Sequence, residues 1–474
     1  MTRRLRRSAA VLVLCLAVRL SVSAQGEFLR DWKSSPAIAE LDARETVYVL
    51  GDVHGQFGHM TVTLWKAGIV GAAPDLADPG WLDAVTWTAG RSILVQTGDL
   101  IDKGPASVPV LWFMRRLQER AAEAGGRVVV TMGNHEDDFL RDPTASGSQK
   151  TFAELEAVRP GLALEVAAGT DAEGLGAWLR SLPFGARVNG WFFCHAGNTW
   201  GETLAELEQK LETAVLPPGA LRMNFGAPEL VDDYNALVEM LPRRNPPAYT
   251  YGGSLINTSL PNQDTSPAQC WPYWWHPLYL QPPASCRIVP DDPAGSKAIL
   301  ERYARALGVA HVVQGHEWKT LVVDGNRVLR VRARISQLYG LLFFVDVGMT
   351  DTYDPTAFDG AAPPKLDSIL AIRSDSHRIV ASVLSEDPAA HPEDTIYSEL
   401  VGDLDQDGRL DAADLAILRN TLGARRGDAR YDVRADLNGD GAVNDDDIAV
   451  WKRLTWGPQP VNPPPTGFIP TRRP

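Results

Sequence analysis

The 474-residue sequence predicts an α/β protein, on three observations. Short apolar runs with the composition of buried strands recur between residues 28 and 384 and alternate with stretches of helical spacing. Most of those runs end in a glycine beside an aspartate or a histidine. Apolar residues make up 45% of the chain and charged residues 22%, the balance of a folding globular protein, which excludes a disordered or collagen-like chain.

The elements follow in chain order. Residues 1–24 read as a signal peptide: Arg3, Arg4, Arg6 and Arg7 form a basic start, 8–20 is apolar except for Arg19, and Val22-Ser23-Ala24 offers small residues for a cut before Gln25. The apolar run is too short to span a bilayer, and no other segment approaches 18 apolar residues. The expected product is secreted or periplasmic, with no membrane association after cleavage. One α/β domain is expected over 25–384. Its strands are predicted at 46–50, 92–96, 127–131, 191–194, 311–314 and 341–347, and its helices at 108–124 and 203–214. A hairpin is predicted over 320–331 around Asp324-Gly325-Asn326, and hairpin-linked strands late in the domain suggest a second sheet. Segments 141–189 and 223–293 are long insertions of the kind that line or cover a site. A polar linker with Pro388 and Pro392 is expected at 385–399, then a small all-α domain over 400–455 and a Pro-rich tail over 456–474.

Charge and cysteines narrow the function classes. Lys and Arg number 46 against 59 Asp and Glu, and losing five arginines with the signal deepens the net charge from −13 to −18. Sequence-independent grip on nucleic acid is thereby excluded. Four cysteines in so long a chain exclude a disulfide-dense mini-scaffold. Cys194 falls in a buried-strand pattern and is expected to be inert. Cys270 and Cys286 bracket a Pro- and Trp-rich stretch, where a bridge in an oxidising compartment contributes roughly 3 kcal/mol.

The predicted strand ends carry metal-ligating residue types: Gly51-Asp52-Val53-His54-Gly55, Gly98-Asp99-Leu100-Ile101-Asp102-Lys103-Gly104, Gly133-Asn134-His135-Glu136, His195-Ala196-Gly197 and Gly315-His316-Glu317. In open α/β sheets functional groups collect at the carboxyl ends of strands, so residues far apart in sequence converge there. A lone histidine after a strand is more often a satisfied turn or core residue; five coordinated placements overturn that.

This set resembles the calcineurin-like metallophosphoesterases, closest to the phosphoprotein phosphatases and their Shewanella-like members, over about residues 46–372. The resemblance implies a four-layer sandwich, two mixed β-sheets packed between flanking helices, with two metal ions at one edge. It implies that Asp52 and His54 bind the first ion, that Asp99 bridges both, and that Asn134, His195 and His316 complete the second site. Mixed imidazole and carboxylate ligands suit Mn, Fe or Zn rather than Ca. Such a pair orients a phosphoryl group and lowers the pKa of a shared water, so a metal-bridging hydroxide is the implied nucleophile. His135 would then protonate the leaving alkoxide, with Asp102 orienting its ring.

Lys103 stands where the family pattern usually has Arg, giving a point charge instead of a planar fork. Arg222, Arg243, Arg244 and Arg287 are candidate substitutes as phosphate binders. His311 is expected to be structural, and His276 a packing residue.

A second constellation lies near the C-terminus. Twelve-residue runs begin at Asp403 and Asp436, offset by 33 residues, with oxygen ligands at positions 1, 3, 5, 9 and 12 and glycine at 6. The candidate calcium ligands are Asp403, Asp405, Asp407, Asp411 and Asp414, then Asp436, Asn438, Asp440, Asn444 and Asp447. Each loop leads into a helix whose inward residues are Leu415 and Leu418, or Ile448 and Trp451. The duplicated loop-helix resembles a type I dockerin, which implies two Ca²⁺ ions and docking onto a cohesin-type partner. The partner-reading pair of that family falls here on Ala412-Ala413 and Asp445-Asp446.

The functional expectation is a secreted dinuclear-metal phosphatase acting on phosphomonoesters, phosphoproteins among them, with a calcium-dependent docking module. The alternatives are hydrolysis of a phosphoanhydride such as a dinucleoside polyphosphate, and a calcium-dependent cohesin-binding protein with a degenerate phosphatase domain.

Overall fold

The computed structural model describes residues 30–196, 202–215, 293–316, 319–324, 327–332, 335–349, 368–385 and 394–456. The signal segment, Cys270, Cys286, His276, Arg222, Arg243, Arg244, Arg287 and the Pro-rich tail lie outside these residues.

Two six-stranded mixed sheets carry the architecture. The first has the order β1 (Ile38–Leu41), β5 (Gly185–Val188), β6 (Trp191–Cys194), β7 (His311–Gln314), β11 (Leu342–Phe344), β10 (Ser336–Leu338). The second runs β14 (Asp394–Leu400), β13 (Arg378–Ser385), β12 (Ser368–Ser374), β2 (Val47–Leu50), β3 (Ile93–Gln96), β4 (Arg127–Val130). In the second sheet β2, β3 and β4 are parallel, with Val47 opposite Ile93 and Ile93 opposite Arg127. In the first, β6, β7 and β11 are parallel. Strands β8 (Lys319–Asp324) and β9 (Arg327–Arg332) form the expected hairpin as a separate two-stranded sheet.

The central strands are short apolar segments, such as Ile93-Leu94-Val95-Gln96, all buried. Runs buried on both faces are what parallel strands between helical layers require. Helix α1 (Phe57–Lys66) and helix α2 (Ser107–Glu123) follow β2 and β3. On α2 the buried Val110, Met114, Leu117 and Ala121 fall at helical spacing along one face. Helix α3 (Asn134–Arg141) begins directly after the exit from β4.

Segment 141–189, expected to line or cover a site, holds helices α4 (Gln149–Val158), α5 (Leu162–Ala168) and α6 (Leu175–Arg180) and strand β5, paired between β1 and β6. Two other expectations change. The predicted strand 341–347 is regular only over Leu342–Phe344; beyond it Val345 presses on Gly51, where an added Cβ would stand 2.2 Å from the Val345 carbonyl oxygen. The expected linker 385–399 is a strand in its second half, because Asp394–Leu400 pairs antiparallel with β13. Helix α7 (Leu204–Val215) matches the predicted 203–214, and helix α8 (Pro293–Ala306) leads into β7. The C-terminal helices are α9 (Ala412–Thr421) and α10 (Asp445–Trp456). They close a separate small core with Leu418, Tyr431, Val443 and Trp451 at its centre.

Candidate metal centre and active site

The carboxyl ends of five strands from both sheets meet at one edge. β2 delivers Asp52 and His54, β3 delivers Asp99, Asp102 and Lys103, and β4 leads to Asn134 and His135. From the other sheet β6 delivers His195 and β7 delivers His316. The exits are tight. Asp99, Asp102, Lys103, His54 and His316 all have φ between 48° and 63°, a left-handed conformation costly for residues with a Cβ and concentrated here. Two of the loops touch backbone to backbone: a Cβ on Gly98 would stand 2.7 Å from Gly133 N, and one on Gly133 2.2 Å from Asp99 N. Only glycine fits such an approach.

Five side chains converge around Asp99. Its Oδ2 lies 3.5 Å from His54 Nε2, which is 3.9 Å from Asp52 Oδ2. Its Oδ1 lies 3.4 Å from His195 Nε2. The Asn134 Oδ1 is 3.0 Å from His195 Nε2 and 3.0 Å from His316 Nδ1. The two oxygens of Asp99 thus face two separate nests of ligand types. The other ring nitrogens are tethered: His54 Nδ1 to Ile101 O at 3.1 Å and His195 Nδ1 to Thr97 O at 2.8 Å. Such tethers fix the tautomer and aim Nε2 inward. The backbone N–H of His316 donates to both Asp52 oxygens, at 2.9 and 3.1 Å, which locks β7 to β2 across the site.

The electrostatics fit a cation. Asp52, Asp99 and Asp346 are carboxylates buried to about 1% exposure. Burial, then Asp346 and Asp99, pushes the Asp52 carboxyl well above its usual range. Burial holds the imidazoles His54 and His195 below their ordinary value, and His316 at about 3, so they stand neutral with lone pairs available. The Lys103 ammonium sits 2.8 Å from His54 Nε2, a positive charge drawn to this same nest. Neutral imidazoles with close-packed buried carboxylates are the donor set of a divalent transition ion. Ligand atoms of Asp99, His195 and His316 lie within 4.8 Å of one another, as do those of His54, Asp99 and His135.

Beside the nests stand His135 and Asp102. His135 Nδ1 is 3.3 Å from Asp102 Oδ2, and its Nε2 is 3.9 Å from Asp99 Oδ2. Asp102 is held through its other oxygen by the Thr151 hydroxyl at 2.8 Å. Burial lowers the His135 pKa, but Asp99 and the Asp102 hydrogen bond outweigh it, and the ring is held above its ordinary value.

Sequence reasoning left two contributors without a role. Glu136 is fully buried and accepts the backbone N–H groups of Asp99, Leu100, Ile101 and Gly133. Its place three residues after the cap position Gly133 is a capping-box spacing, which was the available signal. Asp346 follows the apolar run of β11, the same placement as the other strand-end acids. His311, expected to be structural, is buried and bonds Gly340 O and Glu399.

The C-terminal repeats are built alike. Asp414 Oδ1 accepts the N–H groups of Leu404 and Asp405, and its Oδ2 that of Asp411. Asp447 does the same for Asn438 and Asn444. The position-1 carboxylates Asp403 and Asp436 accept the N–H of Gly408 and Gly441. Ligand oxygens of Asp403, Asp405 and Asp414 lie within 4.8 Å of one another. Asp403 Oδ1 is buried with no hydrogen-bond partner among the described residues, and burial plus neighbouring carboxylates pushes this group up to about 6. An unmet buried oxygen among converging acids fits a hard cation such as calcium. Asp407 and Asp411 are exposed at the loop rim, as are Ala412, Ala413, Asp445 and Asp446 at the two helix starts. No helix among the described residues is long and apolar enough to cross a membrane.

Comparison with known proteins agrees with this geometry. The calcineurin-like phosphoesterase profile matches residues 45–319, and the dockerin type I profile matches 401–454. An uncharacterized protein of Schizosaccharomyces pombe is 38% identical over 98 residues, 21% of this chain and 27% of that protein. Shewanella-like protein phosphatase 2 of Arabidopsis thaliana is 32% identical over 92 residues, 19% of this chain and 21% of the relative. A symmetrical bis(5'-nucleosyl)-tetraphosphatase of Aromatoleum aromaticum is 30% identical over 152 residues, 32% of this chain and 44% of the relative. These matches therefore span less than half the length of each relative. Among solved structures, the cold-active protein-tyrosine phosphatase of a psychrophile Shewanella species aligns with a TM-score of 0.44 at 20% identity, over 76% of this chain and 82% of that one. With more than half of its length matched by the family profile, the chain belongs to the calcineurin-like phosphoesterases and carries a type I dockerin domain behind its catalytic fold.

Proposed function

We propose that the protein is an exported, dinuclear-metal phosphatase that hydrolyses phosphomonoesters, phosphoproteins among them, and is tethered through its dockerin domain. The single observation that carries this reading is the placement of Asp99, whose two carboxylate oxygens lie 3.5 Å from His54 Nε2 and 3.4 Å from His195 Nε2. Asp52, His54 and Asp99 would hold one ion, and Asp99, Asn134, His195 and His316 the other, with Mn, Fe or Zn suited to the donors. When bound, the pair supplies Lewis acidity toward the phosphoryl oxygens and an activated water as nucleophile.

The chain's own groups do the rest. His135, its pKa raised by Asp99 and by its hydrogen bond to Asp102, would donate a proton to the departing oxygen. Asp102, braced by Thr151, keeps that ring in place. Lys103 supplies a positive charge to the phosphoryl group beside His54. Net negative charge over the whole surface is screened within about 10 Å at 0.1 M salt, so these local charges govern phosphate binding.

The dockerin reading assigns two calcium ions to the loops beginning at Asp403 and Asp436, and a cohesin-type protein as docking partner. Export rests on the basic, apolar and small-residue pattern of residues 1–24.

The similarity to the tetraphosphatase supports a second reading, cleavage of a phosphoanhydride in a dinucleoside polyphosphate. One experiment separates the two: the full chain, loaded in turn with Mn, Fe or Zn and checked by elemental analysis, is assayed on a phosphopeptide and on a dinucleoside tetraphosphate with product analysis. Turnover of the phosphopeptide that Asp99→Asn abolishes supports the first reading. Cleavage of the dinucleotide alone supports the second. A metal-loaded protein inert on both leaves the binding-protein reading in place.

A further inference from the structure

The C-terminal module does not hang free of the catalytic domain. Strand β14 ends at Leu400 and the first calcium loop begins at Asp403, with Val401 N bonded to His377 O. Glu399, one residue from the end of that strand, is a three-way junction. Its Oε1 is 3.0 Å from His311 Nε2 on β7, its Oε2 accepts the Tyr397 hydroxyl at 2.8 Å, and Arg434 of the module stands 3.7 Å away. His311 in turn stacks on Trp191, with ring centroids 4.0 Å apart.

Further contacts extend the interface beyond Glu399. Val433 lies against Gly190, and Arg426 and Tyr431 against Gly308. A small cavity of about 150 Å³ between the two bodies is bounded by Lys297, Arg305 and Leu341 on one side and Leu404, Tyr431 and Arg434 on the other. Both loops reach this surface through their first ligand. Leu404, next to Asp403, lines the cavity, and the buried Tyr431 donates its hydroxyl to Asp436 Oδ2 at 2.7 Å.

The topology fixes which side of the catalytic domain is held. Trp191 and His311 are the first residues of β6 and β7, whereas His195 and His316 follow the last residues of the same strands. At about 3.3 Å per residue, the contact and the candidate active site are separated by roughly the length of one strand.

We propose that the calcium-binding module is clamped through Glu399 to the end of the first sheet opposite the candidate active site, so that calcium in its loops stabilises strand β7 of the catalytic domain. This rests on the calcium reading of the two loops. A module that calcium folds stabilises whatever its folded form binds, by mass action within one chain. It also leaves the metal edge facing away from any protein that captures the module.

The test uses the full chain, freed of calcium by dialysis at constant transition-metal content, with calcium then titrated in. Calorimetry measures calcium binding, and hydrogen–deuterium exchange follows peptides covering His311–Gln314. Calcium should slow exchange in β7 by about tenfold or more, in step with the module itself. The double variant Val433→Asp with Arg434→Met should still bind calcium but lose that protection. If calcium binds and only residues 401–456 are protected, or if the double variant keeps the effect on β7, the clamp is refuted and the calcium reading stands. If no calcium binds, both fall together.

Discussion

Glu136 Oε2 accepts the backbone N–H of Asp99 at 2.9 Å, and Glu136 Oε1 that of Leu100 at 2.8 Å. One buried carboxylate from the first turn of α3 thus holds the exit of β3 in the left-handed turn that presents Asp99 to both ligand nests. Replacing Glu136 by Ala leaves four buried donors unmet, at about 1–3 kcal/mol each if none relaxes. We expect Glu136→Ala to lose at least about 3 kcal/mol in urea unfolding and to lower kcat more than tenfold. Glu136→Gln, which turns an NH₂ toward N–H donors, should fall between. Wild-type stability in Glu136→Ala would show that the turn does not depend on this carboxylate.

The pair His135–Asp102 predicts a dependence on leaving group. General acid catalysis typically contributes about 10²–10⁴-fold, and only where the departing oxygen needs its proton. His135→Gln should therefore lower kcat by about that factor on a phosphoserine peptide and far less on an aryl phosphate with an acidic phenol. Asp102→Asn should show the same substrate pattern at smaller amplitude. An equal loss on both substrates would place His135 in binding instead of proton transfer.

Lys103 Nζ reaches His54 Nε2 at 2.8 Å as a single charged point, whose three N–H donors diverge from one nitrogen instead of lying in a planar fork. Lys103→Arg offers a planar fork to two phosphoryl oxygens. We expect KM for a phosphomonoester to fall a few-fold with fold stability unchanged, and Lys103→Ala to lower kcat/KM by about 10–100-fold. Steady-state kinetics read both. An Ala variant with unaltered kcat/KM would move phosphate recognition to other residues.

The convergence of Asp52, His54, Asp99, Asn134, His195 and His316 was legible because each is tied to a local signal, an apolar strand whose exit carries a glycine and a side chain able to coordinate. Gly98 and Gly133 mark the places where two loops touch backbone to backbone, so their spacing with Asp99 and Asn134 encoded the meeting of β3 and β4. The C-terminal repeat was legible for a similar reason, since a twelve-residue register places all its candidate ligands locally. The support for the site was not. Thr151 and Glu154 come from a segment that carries no motif, yet they brace Asp102 and the N–H groups of Ser107 and Val108 at the start of α2. Strand β14 was hidden by its polarity. Asp394-Thr395-Ile396-Tyr397-Ser398-Glu399-Leu400 alternates weakly and sits at a sheet edge, where solvent-facing residues dilute the strand pattern. Glu399 looked like a solvated linker acid, and only tertiary contact with His311 gives it a buried role.

Glu399 also makes stability depend on acid. Burial opposes its charge, but His311 with its hydrogen bond, Arg434 and the Tyr397 hydroxyl together hold the carboxyl down at about 2. An unfolded glutamate titrates near 4.3, so its folded pKa is the lower one. Such a group contributes full stability above its unfolded pKa and loses that contribution as pH falls toward the folded value. The window therefore lies between about pH 4.5 and 2, with a contribution on the order of 3 kcal/mol at neutral pH. Glu399→Gln keeps the shape and removes the ionisation. The difference in unfolding free energy between wild type and variant, measured in urea at several pH values, should be largest above pH 5 and shrink toward pH 2. Taking the difference cancels the titration of the calcium-loop carboxylates, which both proteins share. A difference that stays flat over this range would mean that the link between β14 and β7 is held by shape and packing, with the charge of Glu399 contributing nothing.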